Sequence, residues 1–203
     1  FGPQQLLASL EGAVTAAILA LTAMGLSIVF GVMRVVNVAH GEFYMLGAVF
    51  AWFISTTIGA NPAIGFIGAL IIAPLLVGSL AAAADRLILQ RIDYDPERTI
   101  VATIGLLYII QQSALMTFGP DARPVEPPFN SRIELPWFEF GDEGFAMFWP
   151  WGLSITSYKV FIVVAAIVIL TAIWFLMTRT KFGLVMRATQ QDREMSQAFG
   201  VPV

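Results

Sequence analysis

An all-α integral membrane protein, a polytopic helical bundle of about five transmembrane spans with one extracytoplasmic loop domain, is the fold the sequence predicts. Three observations carry that expectation. Hydrophobic residues make up 58% of the chain and charged residues 12%, against about 25% charged in soluble domains. Several uncharged runs are long enough, at about 1.5 Å per residue, to cross a hydrocarbon layer about 30 Å thick. Within one apolar stretch, residues 25–54, stand Arg34, Asn37, His40 and Glu42. An ionisable group at bilayer depth costs about 2.5–3.5 kcal/mol on insertion scales. A chain that keeps such groups there has a polar interior and is more than an anchor.

The first span is expected over residues 12–33, which carry no charge. Residues 43–84 are also uncharged and too long for one crossing; Gly59-Ala60-Asn61-Pro62 is a turn signal, dividing them into spans near 36–57 and 62–84. A fourth run, 99–120, stops at Phe118-Gly119-Pro120, and a fifth, 158–178, is bounded by Lys159 and Arg179. The domains follow: 1–118 holds four spans and the polar segment 34–42, 119–157 an acidic loop, 158–178 the fifth span, and 179–203 a polar tail. The loop holds Asp121, Glu126, Glu134, Glu139, Asp142 and Glu143, more than half of the prolines, and Trp137, Trp149 and Trp151. Short strands are expected near 132–135 and 137–140, and Trp149 and Trp151 suit a membrane–water interface. Phe1 is followed by no basic n-region or cleavage-type motif, so no signal peptide is expected and the start reads as trimmed or partial.

Orientation follows from the basic residues. Arg86, Arg91 and Arg98 lie in 85–98, and Arg179, Lys181, Arg187 and Arg193 in the tail; the acidic loop has only Arg123 and Arg132. The positive-inside bias places 85–98 and the tail in the cytoplasm, the acidic loop outside, and the N-terminus outside. Small residues at Gly12, Ala16 and Ala20, and the cluster Ala81–Ala84, are candidate sites of close helix approach.

The polar segment admits two readings. In an unbroken helix His40 and Glu42 point about 200° apart; a break at Gly41 would let them converge on one cavity, tolerated where freed backbone lines water or is buried in protein. The segment is then either a polar hinge beside a translocation path or, the reading preferred from the residues, a structural knot locking the first two spans near the cytoplasmic face. The tail is expected to form a short amphipathic helix, with Val185, Ala188, Asp192, Met195 and Phe199 at helical spacing, Leu184 broadening the stripe, and Gly200 and Pro202 as a stop signal. Its charged face is mixed rather than basic, which favours a protein groove over lipid.

Other chemistry is poorly supported. The chain has no Cys and one His, so disulfides, thiolate metal sites and a multi-His metal site within it are excluded. His40-x-Glu42 matches half of a zinc-deaminase signature whose other half needs cysteines. There is no Gly-x-Ser-x-Gly and no phosphate-binding loop, and no Lys/Arg run for nucleic acid at a net charge of −3. No cofactor or metal is expected on this chain; ATP, if it drives the protein, binds another subunit. A membrane enzyme using His40 and Glu42, and a scaffold without a pathway, are the readings from other classes.

GLSIVFGVMRVVNVAHGEFYMLGA, residues 25–48, closely resembles the signature of branched-chain amino acid ABC transporter permeases of the high-affinity import type. ERTIVATIGLLYIIQQ at 97–112, followed by FGPDAR, and the tail FGLVMRATQQDREMSQAFGV resemble two further blocks of that family. In the tail the family commonly has Gly, Arg-Ala, a small residue and Gly, here Gly183, Arg187-Ala188, Ser196 and Gly200; Ser196 stands where Ala is commoner. The resemblance implies a multi-pass subunit of the bacterial inner membrane, a second similar permease, two cytoplasmic ATPase subunits carrying ATP and Mg, and a periplasmic binding protein that delivers Leu, Ile or Val. Urea, short amides or other amino acids are the nearest competing substrates. It also implies that the tail docks on an ATPase, with Gly183, Leu184, Arg187, Ala188, Met195, Phe199 and Gly200 as the coupling residues. Arg34, Asn37, His40 and Glu42 would line or brace the path. Family members continue with roughly three further spans, so the chain reads as the N-terminal part of a permease.

Overall fold

The computed structural model describes residues 2–34, 36–58, 61–125, 127–134, 137–141, 144–148, 154–198 and 200, and of residues 2, 3, 32, 33, 137–141, 144–148, 193, 194 and 197 the backbone alone. The chain is a multi-pass helical membrane protein. Among the described residues seven α-helices occur in order: α1 (Gly2–Met33), α2 (His40–Thr57), α3 (Pro62–Ala84), α4 (Pro96–Phe118), α5 (Ser157–Arg179), α6 (Lys181–Gln191) and α7 (Arg193–Ala198). Four short strands are described between α4 and α5: β1 (Arg132–Glu134), β2 (Trp137–Gly141), β3 (Gly144–Phe148) and β4 (Ser154–Thr156).

Among the described residues four helices are long and apolar enough to cross a membrane: α1 over Gln4–Gly31, α3 with its extension over Pro62–Ile92, α4 and α5. The sequence predicts a fifth, over 36–57. There the chain forms a turn through Asn37–Ala39 and the helix starts only at His40, leaving 18 residues, about 27 Å, with His40 and Glu42 diluting its apolar content. α1 and α4 begin before their uncharged runs, and for α4 the cause is a cap. Asp95 Oδ1 accepts from Arg98 N at 3.0 Å and Pro96 occupies the first turn, so α4 starts before Thr99. α3 occupies Pro62–Ala84, where the sequence predicts a span, and Asn61 Oδ1 caps it by accepting from Ala63 N at 3.0 Å.

The chain divides into two compact units, residues 1–24 with 128–176 and residues 25–127 with 177–203. In the first, Glu11 of α1 pairs with Lys159 of α5 at 2.7 Å. β1 and β4 pair antiparallel, with Arg132 opposite Thr156 and Glu134 opposite Ser154. Ser157 N donates to Ser131 O at 2.9 Å, so the ladder hands directly into α5. Ile155 is buried on this ladder, and Phe129 meets Phe161 of α5 with ring centroids 5.8 Å apart. β2 and β3 form a second antiparallel pair, Trp137 opposite Phe148 to Gly141 opposite Gly144. The expected strands near 132 and 137 are thus present. Their partners, β3 and β4, have weaker signals: GFAMF shows no alternation of polar and apolar residues, and SIT alternates over only three residues. Trp149 and Trp151 lie outside the described residues.

In the second unit α2 packs on α3. Ile54 of α2 meets Ala69 and Ala73, with Phe50 and Ala51 beside them. Gly65, Ala69 and Ala73, four residues apart, are the buried face of α3. A Cβ on Gly65 would lie 2.9 Å from the Ser55 carbonyl oxygen, so the backbones approach as closely as small residues permit. The predicted small-residue stripe on α1 makes no such contact: Gly12 and Ala16 are exposed and a Cβ on Gly12 meets nothing within 4 Å. The opposite side of α3 leaves Ile64, Ile67, Leu70, Ile71 and Leu75 more than half exposed, a surface suited to lipid tails and untenable in water. Past Ala84 the chain passes through a π-helical turn (Asp85–Leu89), a 3₁₀ turn (Gln90–Ile92) and two left-handed residues, Asp93 and Tyr94, before α4. Asp85 holds this turn together, accepting from Gln90 Nε2 at 2.9 Å and from the Tyr94 hydroxyl at 3.1 Å.

Candidate functional site

The site is an elbow between α1 and α2. α1 ends at Met33, and Arg34 follows with φ 55°, its N–H donating to Phe30 O at 2.8 Å. A left-handed conformation costs a residue with a Cβ about 1–2 kcal/mol, so surrounding bonds must fix it. Arg34 Nη2 donates to the carbonyl oxygen of Gln190 and, at 3.3 Å, to that of Gln191. Those are the last two residues of α6, where carbonyls lack intrahelical partners and the helix dipole is negative. Gly31 gives Gln190 room: a Cβ there would lie 2.6 Å from Gln190 Nε2.

Beyond Arg34, Asn37 shapes the elbow. Its Oδ1 accepts from Ala39 N at 3.0 Å and its carbonyl from His40 N at 3.2 Å, the local bonding by which Asn competes with helix. The turn then docks on α4. Val38 N donates to Thr103 Oγ1 at 3.3 Å, and that hydroxyl donates to Thr99 O at 2.8 Å. Ala39, Thr99 and Thr103 are fully buried at this contact. Among the described residues, Thr99 Oγ1 is a buried hydroxyl without a hydrogen-bond partner. Thr99 and Thr103 were missed in the sequence; two threonines one helical turn apart in an apolar run were the available signal.

His40 and Glu42 both lie in the first turn of α2. The helix breaks before His40 and not at Gly41, so helical phase sets the two side chains about 200° apart and they do not converge. The His40 ring packs on α1, its Cε1 lying 3.4 Å from where a Gly25 Cβ would stand. Glu42, partly buried, sits in a first turn, where the helix dipole favours a carboxylate. A Cβ on Gly41 would meet nothing within 4 Å.

The tail is two helices, where the sequence predicts one. Thr180 caps α6, its Oγ1 accepting from Gly183 N at 3.2 Å. Asp192 interrupts the helix in an extended conformation, φ −148° and ψ 106°. Its Oδ1 then accepts from Met195 N at 2.9 Å to start α7, and its carbonyl accepts from Ser196 Oγ at 2.7 Å. An Asp prefers a cap to a helix interior because its carboxylate satisfies free N–H groups. Of the predicted coupling residues, Leu184 and Met195 are 62% and 57% exposed, and Ala188 is exposed beside them. Gly183 is buried, Gly200 takes φ 77°, and Phe199 lies outside the described residues. Arg187 folds back on its own corner: Nε donates to Gly183 O at 3.3 Å and Nη2 to Thr178 O at 3.5 Å, capping the last turn of α5.

The family described as branched-chain amino acid transport system / permease component matches residues 8–203. Among curated proteins, the chain is 24% identical over 188 residues to the high-affinity branched-chain amino acid transport system permease protein BraD of Pseudomonas aeruginosa, an overlap of 90% of this chain and 58% of that protein. It is 26% identical over 196 residues to the permease protein LivH of Salmonella typhimurium, with the same coverage. To the probable LivH of Methanocaldococcus jannaschii it is 25% identical over 195 residues, 96% of this chain and 58% of that one. The chain therefore spans 58% of the length of these relatives. No solved structure gives a significant match.

Proposed function

We infer that this chain, which belongs to the family of permease components of branched-chain amino acid transport systems, forms part of the membrane path of an ABC importer for branched-chain amino acids in the inner membrane. The observation that carries this reading is the match across residues 8–203, which takes in the elbow and both tail helices. The chain contributes transport and no chemical turnover. A second, similar permease completes the path, two cytoplasmic ATPase subunits bind ATP and Mg, and a periplasmic protein delivers the amino acid to the outer face. Nucleotide and substrate each favour a different state of one bistable assembly, which is what coupling requires.

The tail is the docking segment for the ATPase in this proposal. Leu184, Ala188 and Met195 supply the apolar contact, and their exposure supports that assignment. Gly183, Arg187 and Gly200 set the corner and its end, and Phe199 is assigned to the contact from its sequence spacing alone. Arg34, Asn37, His40 and Glu42 brace the spans beside the path. Reconstitution of the permease with its ATPases and binding protein tests the reading. ATP-dependent uptake of radiolabelled leucine is expected, with urea excluded. Preference for urea or a short amide would reassign the substrate, and turnover of any compound without ATP would replace the transport reading.

A further inference from the structure

We propose that Arg34 is a positioning residue that clamps α6 to the elbow, so that displacement of the tail is delivered to the start of α2. The proposal rests on the reading above, and extends it from where an ATPase docks to how its motion leaves the tail.

Three features converge on one joint. The Arg34 guanidinium donates to the last two carbonyls of α6, a charge-assisted bond at the negative end of a helix. Gly31 lets the Gln190 amide close against α1. Arg34 also holds a left-handed backbone, a conformation a purely interchangeable surface Arg has no reason to keep. Four residues on, the elbow is fastened to α4 through Val38 and Thr103. The tail is also held at its first turn, where Thr180 and Arg187 fix the corner after α5. α6 is thus gripped at both ends, by its own corner at the start and by the elbow at the finish. A push on its exposed apolar face cannot rotate it without moving Arg34.

The test uses the assembled transporter in proteoliposomes. Arg34→Gln is expected to lower substrate moved per ATP hydrolysed by about tenfold, the scale of losing a charge-assisted hydrogen bond, while ATPase co-purification stays at the wild-type level. Arg34→Lys should recover part of the ratio, since a Lys also caps helix C-termini. Arg34→Gly relieves the left-handed strain but removes the donor, so it should match Arg34→Gln. Wild-type coupling in Arg34→Gly or Arg34→Gln overturns the proposal. Should Arg34 variants fail to reach the membrane, Gly31→Val attacks the same joint without touching the guanidinium and is expected to uncouple in the same direction; normal coupling there overturns it. The chain has no Cys, so spin labels at Glu97→Cys and Gln191→Cys give a second readout. Their distance distribution should broaden in Arg34→Gln, and an unchanged distribution counts against the clamp. This measurement is independent of substrate. Absence of ATP-dependent uptake by the wild type would overturn the functional reading while the label distances still decide the clamp.

Discussion

Thr99 and Thr103 separate two kinds of buried hydroxyl. Thr103 Oγ1 accepts the Val38 N–H and so satisfies a backbone donor of the elbow. Thr103→Val keeps the shape and strands that N–H, which costs about 1–3 kcal/mol; thermal unfolding in detergent should show the loss. Thr99 Oγ1 is buried and unbonded among the described residues, so Thr99→Val removes an unsatisfied group at constant volume and is expected to be neutral or stabilising. Equal losses in both would mean that the threonines pack rather than bond. The glycines divide in the same way. Gly65→Ala drives a Cβ to 2.9 Å from the Ser55 carbonyl oxygen, and parting the helices should cost about 1–3 kcal/mol. Gly41→Ala meets open space in a helical first turn, and is expected to be neutral or to gain up to about 1 kcal/mol. These opposite signs are read in one melting series.

Element boundaries in this chain follow from caps, and caps are where the sequence was only partly legible. Apolar runs placed α1, α3, α4 and α5, because a run of lipid-soluble residues has one solution when every backbone group must be bonded internally. The break before α2 was not legible. It depends on Asn37 bonding its own backbone and on a threonine 65 residues away, a contact no local pattern contains. The split tail is similar: Asp192 lies on the apolar stripe by periodicity, yet its carboxylate caps α7. Asp192→Ala should remove the cap, at about 1 kcal/mol, and allow α6 and α7 to merge; spin-label distances across residues 188 and 198 would then settle near the value of one straight helix. On the exposed face, Leu184→Glu should abolish ATPase co-purification with insertion unchanged. Arg187→Glu should uncouple transport with insertion likewise unchanged, by loosening the Gly183 and Thr178 carbonyls it caps. Unchanged uptake and unchanged ATPase binding in that variant would contradict the assignment.

At the scale of the whole molecule the open quantity is how many times the chain crosses. Among the described residues four helices meet the length and apolarity a span needs, and α2, with His40 and Glu42 in its first turn, falls short in apolarity. Yet α2 is fastened to α4 at two levels. Its elbow bonds Thr103, in the second turn of α4, and Trp52 and Phe53 meet Phe118 at the far end, with ring centroids 6.3 and 6.2 Å apart. Arg123 lies over Trp52 at 4.8 Å and donates to Phe118 O, closing that end. The rise from Thr103 to Phe118 is about 22 Å, so α2 follows α4 across most of a hydrocarbon layer. If α4 crosses, these contacts predict that α2 crosses beside it, its polar first turn wetted or paired against protein rather than facing lipid. Parity converts this into a measurement. If α2 crosses, three helices separate Gln5 from Asp93 and the two face opposite sides; if it does not, two helices separate them and they face the same side. The absence of Cys makes Gln5→Cys and Asp93→Cys unique targets for an impermeant maleimide. Residue 5 is expected to label from outside and residue 93 only after permeabilisation, as the positive-inside bias of Arg86, Arg91 and Arg98 also requires. Labelling of both from one side would place α2 within a single leaflet and put the elbow and the acidic loop, after one further crossing by α4, on a topology with the opposite parity.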